Sequence, residues 1–194
     1  MRSSGNGLVE MAVAVKCTVV VGVATLLLFP ISLSSQTGPM TREEVLASVY
    51  PGATVEAERV FLTGEQTERA SELAGVEIKS PLVARYVARE GERVVGRAYV
   101  DTHVVRTKRA SLLIALASDG AVRRVEVTAF LEPREYMAPP AWLRQFDTQS
   151  LSDDVALQRA IRPIAGATLT AQSATEAVRR VMAIDEILEG QGRR

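Results

Sequence analysis

Leu112 to Val127 reads LLIALASDGAVRRVEV and carries the strongest structural signal in the chain. Asp119-Gly120 is typical of a tight β-hairpin turn, because glycine readily adopts the positive φ that such turns require. From Arg124 onwards charged and apolar residues alternate, as they do in a strand with one buried and one solvated face. The stretch therefore predicts two antiparallel strands, which cover Ala110 to Ala117 and Val122 to Leu131.

Before this hairpin, helix-start motifs alternate with extended stretches. TREE and TGEQ, which begin at Thr41 and Thr63, are capping boxes that each open a helix. The first helix is expected to end before Pro51-Gly52 and the second at Gly75. Around and after these helices the sequence predicts three further strands: Val55 to Leu62, Leu82 to Arg89 and Val94 to Val104.

After the hairpin, the sequence predicts helices. Pro139-Pro140 precedes a short helix, and Ser173 with Glu176 forms a third capping box that opens a terminal amphipathic helix. Helices that flank a run of antiparallel strands predict an α+β fold, with helices packed on a meander-like antiparallel sheet. The apolar residues at helical spacing in the terminal helix are Ala174, Ala177, Val178, Val181, Ile184 and Leu188.

The N-terminal residues predict export. Cys17 to Phe29 reads CTVVVGVATLLLF, Arg2 and Lys16 precede it, and no charge follows until Arg42. Cations before an apolar run keep that end in the cytoplasm and send the rest of the chain across. We therefore divide the chain into a signal-anchor or signal peptide, residues 1–35, and a domain outside the cytoplasmic membrane, residues 41–190.

Two outcomes for this segment stay open. Ser32-Leu33-Ser34 has the small-x-small form of a signal-peptidase site, and cleavage there would release the domain. Cys17 to Ser35 is also long enough for one helix across the hydrocarbon core. The uncleaved anchor is favoured, which predicts a single N-terminal span in the cytoplasmic membrane.

Composition limits the chemistry. The 23 basic and 23 acidic residues balance, which argues against a nucleic-acid surface. Cys17 is the only cysteine and lies in the apolar run, so no thiolate metal site is expected in the domain. His103 is the only histidine and shares the polar side of a strand with Asp101, where a solvated position is expected. Redox chemistry in such a domain requires a cofactor.

Ile161 to Ile184 reads IRPIAGATLTAQSATEAVRRVMAI and contains the candidate site. Gly166-Ala167 is a small-residue bend, and Thr168 and Thr170 place two hydroxyls ahead of the predicted helix. A helix N-terminus presents free N–H groups and the positive end of the dipole, which favour a phosphate. From these residues alone, a polar loop that enters a capped helix remains the alternative.

The pentapeptide Gly166-Ala167-Thr168-Leu169-Thr170, followed by a Thr-Glu-Ala-Val-Arg-Arg helix, resembles the flavinylation motif of the FMN-binding domain family. That family includes the covalent-FMN subunits of the sodium-translocating NADH:quinone reductase and of the related ferredoxin:NAD oxidoreductase. The resemblance extends to LASVYPGA at Leu46 to Ala53, to the hairpin quoted above, and to FLEP…WLRQF at Phe130 to Phe146.

The resemblance implies that Thr170 accepts the FMN phosphate as a phosphodiester. A magnesium-dependent flavin transferase would install it with FAD as donor. It also implies that Gly166, Ala167, Thr168 and Leu169 belong to the site without being the attachment point.

Other candidate contacts lie outside the motif. In the family the isoalloxazine ring lies against the sheet and the segment before the motif, so Trp142 and Tyr136 are the aromatic candidates for stacking. A core position is the alternative for Trp142. Thr107 is a candidate at the flavin edge, with a plain basic turn as its alternative.

Two positions depart from the family's usual pattern. Arg162 stands where the family has aspartate, four residues before the glycine, and Ala165 stands where it has serine or threonine. Loss of the acid weakens recognition by the transferase or leaves the flavin bound without a covalent link. Arg162 could instead pair with the phosphate.

The function expected from the resemblance is that of an extracytoplasmic electron carrier with FMN on Thr170, which works with a membrane redox partner. Few acid–base residues surround the motif, so an electron-transfer protein is favoured over a stand-alone enzyme. Two alternatives stay open: an exported FMN-dependent reductase that acts on a small acceptor, and a cofactor-free binding module of the same fold.

Overall fold

The computed structural model describes residues 41–191, and their helices and strands follow the predicted order. These residues belong to the second of two units into which the chain divides, Thr37–Arg194. The elements are α1 Arg42–Val49, β1 Thr54–Phe61, α2 Gly64–Ala74, β2 Leu82–Glu90, β3 Arg93–Val104, β4 Arg109–Ala117, β5 Val122–Phe130, α3 Pro140–Leu143 and α4 Thr168–Gln191, with single 3-10 turns at Arg134–Tyr136 and Arg144–Phe146.

The predicted anchor or signal segment, residues 1–35, lies outside the described residues. Within residues 41–191, none of the helices combines the length and the apolar character that a membrane crossing requires.

The five strands form one antiparallel sheet in the order β1-β2-β3-β4-β5, so the predicted α+β fold with a meander sheet is confirmed. Both capping boxes that precede the β4–β5 hairpin are confirmed as well. The Thr41 hydroxyl accepts from the Glu44 N–H, and the Thr63 hydroxyl accepts from the Gln66 N–H. Gly75 ends α2 in the left-handed conformation, with φ +64°.

Helices cover both faces of the sheet. On one face α1 packs its buried residues on β2, β3 and β4, through Val45, Leu46, Tyr50, Ala88, Ala98, Leu113 and Ala115. On the other face α2 and α4 pack on each other and on a larger core. That core includes Tyr99, Leu112, Ile114, Leu116, Val125, Phe146, Val178 and Val181.

Tyr50 and Gly96 lock α1 to the sheet. The Tyr50 hydroxyl lies 2.8 Å from the carbonyl oxygens of Arg97 and Leu116 and donates between them. A Cβ at position 96 would overlap the Tyr50 ring and the Leu116 carbonyl. Glycine is therefore required here for the close approach of the ring.

The start of α4 corrects the sequence prediction. The helix begins at Thr168, not after Ser173, so Ser173 lies inside it and forms no capping box. The bend at Gly166, with φ +77°, ends the preceding segment, and the Ala167 carbonyl accepts from the Ala171 N–H at 3.1 Å. Leu, Ala and Gln in this stretch favour a helix, so α4 extends back to the bend. Thr168 and Thr170 thus lie in the first turn of a long helix.

Candidate functional site

The first turn of α4 presents unpaired backbone donors. Among the described residues, the N–H groups of Thr168, Leu169 and Thr170 have no hydrogen-bond partner. This is the ordinary state of an α-helix N-terminus, where the first N–H groups precede any intrahelical carbonyl. Gly166 leaves open space beside them, because a Cβ there would contact nothing within 4 Å. The turn therefore offers aligned donors to an anion.

The two threonines of this turn differ in exposure. Thr168 is exposed, whereas Thr170 is 5% exposed. The Thr170 hydroxyl donates to the Tyr136 carbonyl at 2.7 Å, which ties α4 to the segment after β5. The exposed Thr168 hydroxyl can contact a ligand directly. The Thr170 hydroxyl can do so only after its hydrogen bond to the Tyr136 carbonyl breaks.

A cavity of about 330 Å³ lies against the turn. Its volume falls within the range of small-molecule sites, roughly 300–1,000 Å³. The Arg106 guanidinium lies 5.9 Å from the centre of the Tyr136 ring, and both residues face the cavity. The lining is Val105, Arg106, Glu132, Tyr136, Gly166, Ala167, Thr168, Leu169 and Thr170.

Glu132 fixes the turn between β3 and β4 that carries Arg106. One carboxylate oxygen accepts from the backbone N–H groups of Thr107 at 2.7 Å and Lys108 at 2.8 Å. It also accepts from the Thr107 hydroxyl at 3.3 Å. The Thr107 N–H, followed by that of Lys108, holds the pKa of Glu132 below its ordinary value, so this carboxyl stays ionised beneath a basic turn.

Trp142 lies away from the cavity. Its indole N–H donates to the Arg162 carbonyl at 2.6 Å, and its ring packs edge-to-face on Phe146 at 5.5 Å. The ring also packs against the larger core. Trp142 therefore positions the segment that precedes the motif. Its packing agrees with the alternative of a core position rather than with a stacking contact to the flavin.

The structure gathers part of the predicted site. Gly166 to Thr170 and Tyr136 line one cavity, whereas Thr107 and Trp142 are absent from its lining. Thr107 contributes indirectly, because it donates hydrogen bonds to Glu132, which lines the cavity. The sequence did not reveal this role of Glu132. Arg106 was not among the predicted site residues. The basic run RTKR at residues 106–109 was the signal that pointed to it.

A larger cavity, of about 590 Å³, lies beside α4 and shares no lining residue with the first. On its wall the Asp101 carboxylate accepts from His103 Nδ1 at 2.8 Å and from two Arg180 nitrogens at 3.0 Å. The His103 side chain is only 11% exposed, so its predicted solvated position is wrong. The polar side of β3 is the side that α4 covers, because α4 supplies charged partners for it.

The electrostatics of this wall favour an ionised carboxylate. Burial raises the pKa of Asp101, but the hydrogen bonds from His103 and Arg180 outweigh it and hold the pKa below its ordinary value. Nε2 of His103 has no hydrogen-bond partner in the described part of the chain, and His103 lines the cavity.

A second buried cluster lies farther along α4. Asp185 accepts from Arg97 at 2.5 and 2.8 Å and from the Tyr99 hydroxyl at 2.7 Å. Arg97 and Asp185 are each 2% exposed. Burial, and then the neighbouring Asp185 carboxylate, raise the pKa of Tyr99, so the hydroxyl keeps its proton and donates.

No protein-family model matches the chain. No curated protein matches it either.

Proposed function

We propose that this protein is an extracytoplasmic flavoprotein electron carrier that holds one FMN by its phosphate at the N-terminus of α4. The observation that carries the proposal is the set of unpaired N–H groups at Thr168, Leu169 and Thr170, three residues that line a cavity together with Arg106. A helix N-terminus and an adjacent guanidinium both favour a phosphate. The sequence resemblance supplies the identity of the flavin.

The residues of the cavity fit such a ligand. The first turn of α4 would hold the phosphate, and Arg106 would balance its charge. The Tyr136 ring offers a flat aromatic surface next to it. Glu132 keeps the β3–β4 turn in place through backbone N–H groups, so Arg106 stays beside the helix N-terminus. When bound, FMN supplies one-electron and two-electron transfer, which the side chains of this domain lack.

The covalent link remains a prediction, and the two hydroxyls are not equally placed for it. Thr170, predicted from the resemblance, must first break its hydrogen bond to the Tyr136 carbonyl. Thr168 is exposed and needs no such rearrangement. Accessibility to a flavin transferase therefore favours Thr168, whereas the resemblance implies Thr170, which is the attachment point in this proposal.

Single alanine variants decide between them. The chain is co-produced with a magnesium-dependent flavin transferase, and flavin fluorescence is measured after denaturing electrophoresis. The wild type is expected to retain fluorescence, Thr170→Ala to lose it completely and Thr168→Ala to keep at least part of it. A label that is kept in Thr170→Ala and lost in Thr168→Ala would assign the attachment to Thr168 instead. Ser173→Ala, one turn further along α4, is the matched control and keeps the label.

Further variants test the chemistry. Serine at the acceptor position keeps part of the label, because it preserves a hydroxyl nucleophile. Arg162→Asp restores the acid of the family pattern and is expected to raise labelling. Absence of flavin from every variant, in native absorbance spectra as well, would overturn the proposal and favour the cofactor-free module.

The proposed partners follow from this role. A flavin transferase matures the protein, and a redox partner in the membrane exchanges electrons with it. The N-terminal segment, residues 1–35, anchors the chain in the cytoplasmic membrane with the domain outside. None of these steps requires nucleic acid.

The larger cavity supports a second candidate, the exported FMN-dependent reductase. His103 lines this cavity, and the Asp101 carboxylate orients its ring. Such a pair is suited to proton transfer. Steady-state turnover of a small acceptor at roughly 1–10³ s⁻¹, lost in His103→Gln, would favour the reductase over the carrier. Turnover that is absent, or unchanged in His103→Gln, would favour the carrier.

A further inference from the structure

Five large apolar side chains are exposed in the described part of the chain, with between 47% and 70% of their surface accessible. We call this set the apolar rim. Single exposed apolar residues are common on soluble domains, but a group at one place marks an interaction surface. The apolar rim consists of Phe61, Leu82, Val104, Leu131 and Leu169.

The topology places the rim at one end of the sheet. In the antiparallel meander β1 ends, β2 begins, β3 ends, β4 begins and β5 ends at the same side. Phe61 pairs with Leu82, and Val104 pairs with Arg109. The Leu131 N–H donates to the Arg109 carbonyl at 3.0 Å, which brings the end of β5 beside them.

Leu169 joins the rim from α4. It lines the smaller cavity together with Val105 and Arg106, which follow Val104 in the chain. The rim therefore borders the candidate phosphate site, and the two share one end of the domain.

Cations are concentrated in the middle of this end. The β3–β4 turn exposes Arg106, Lys108 and Arg109, between Val104 on one strand and Leu131 near the next. The nearest acid, Glu132, is buried beneath the turn and bound to its N–H groups. Exposed acids at this end, such as Glu77, lie before β2 or after β5. The centre of the surface is therefore apolar and positive.

We propose that this end of the domain docks on the surface of a lipid bilayer with anionic headgroups. Apolar side chains enter the interface between headgroups and acyl chains, and basic residues contact the lipid phosphates. This inference goes beyond the proposed function and does not require flavin. Its consequence is that the smaller cavity, at the first turn of α4, faces the membrane.

The same observations disfavour a protein strand as the occupant. The rim lies at the ends of the strands, where no sheet edge is available for strand addition. A second copy would bring one basic turn against another at a symmetric contact, and like charges disfavour that arrangement. A bilayer with anionic headgroups offers apolar acyl chains to the rim and negative charge to the basic residues around the β3–β4 turn.

Site-specific quenching in the full-length chain tests the docking. Cys17→Ser provides a cysteine-free background, and Leu131→Cys carries an environment-sensitive dye at the rim. Glu92→Cys, in the β2–β3 turn at the opposite end, is the matched control. The protein is reconstituted in phosphatidylcholine vesicles with and without phosphatidylglycerol, and lipids brominated in their acyl chains serve as quenchers.

A blue shift and quenching at position 131, with neither at position 92, are expected in vesicles that contain phosphatidylglycerol. Lys108→Glu with Arg109→Glu should reduce the quenching at 131, whereas Arg93→Glu at the opposite end should leave it unchanged. Unchanged circular dichroism shows that each variant is folded.

Two results would overturn the inference. Equal or absent quenching at the two labelled positions shows that the rim has no preferred contact with lipid. A blue shift at 131 that depends on protein concentration in detergent, and persists without vesicles, assigns the rim to a second copy of the chain instead.

Discussion

The two ends of the sheet differ in their connections, in their exposed apolar side chains and in their buried charges. At one end, β2–β3 and β4–β5 are joined by tight turns, with Gly91 at φ +61° and Gly120 at φ +90°. We call it the closed end, and the rim-bearing end the open end. The open end carries the long β1–β2 connection that contains α2, the exposed apolar side chains and the unpaired N–H groups of α4.

The buried charged residues near the two ends differ as well. At the closed end Arg97 donates to Asp185 and to the Ser118 carbonyl, and Asp185 lies next to Gly120. Toward the open end, Asp101 and its partners line a solvent-accessible cavity. Near the closed end the sheet is therefore tied to α4 by a buried ion pair, whereas the open end carries the solvent-accessible cavities.

The largest expected effect is at the closed end. Asp185→Asn leaves the buried Arg97 guanidinium without its main counter-charge, although Glu189 remains 3.5 Å from it. Removal of one partner of a buried ion pair costs about 3–5 kcal/mol. We expect the free energy of unfolding, measured by urea titration, to fall by this amount. Glu186→Gln, on the next and exposed residue of α4, should change it by less than about 0.5 kcal/mol.

A smaller, pH-dependent effect is expected for Asp101. Asp101→Asn removes a carboxylate that accepts from Arg180 and His103, which should cost about 1–3 kcal/mol at pH 7. Because the folded-state pKa is lowered, this stability is present above the unfolded pKa of about 3.9 and is lost as pH falls through the folded pKa. The urea midpoints of the two proteins should therefore begin to converge as the pH falls below about 4, and meet below the folded-state pKa of Asp101. A difference that persists there would assign the effect to packing.

The smallest expected changes in stability are those of alanine variants at the two threonines of the open end, and the two variants should differ. Thr170→Ala removes the hydrogen bond to the Tyr136 carbonyl and should cost about 1 kcal/mol, a typical net value for one bond. Thr168→Ala should change stability by less than about 0.5 kcal/mol, because its side chain is exposed. Thermal unfolding of flavin-free protein measures both. Equal losses would show that the hydroxyls have similar surroundings in solution.

The closed end and the strands were predictable because their signals are local. The Asp119-Gly120 turn, the capping boxes at Thr41 and Thr63 and the alternation after Arg124 each specify a conformation within a few residues. Contacts between distant residues left no such signal. Asp185 is 88 residues from Arg97 and Arg180 is 79 from Asp101, so the buried side of β3 looked solvated.

The candidate site was predicted to a similar extent. Gly166 to Thr170 were found because they are contiguous in sequence. Glu132 escaped assignment because its role lies in the backbone of a turn 24 and 25 residues away. The false start assigned to α4 has another cause: Ser173 and Glu176 match a capping box in sequence, yet the bend at Gly166 already determines where the helix begins.

Helix α4 joins the two ends as one rigid rod. Thr168 and Asp185 are 17 residues apart, which corresponds to about 26 Å of helix at 1.5 Å per residue. Insertion or deletion of one residue between them would rotate one end against the other by about 100°. Either the ion pair at Asp185 or the cavity lining at Thr168 would then be lost. Over evolutionary time, this domain can change the length of its surface connections, whereas the spacing along α4 is constrained from both sides.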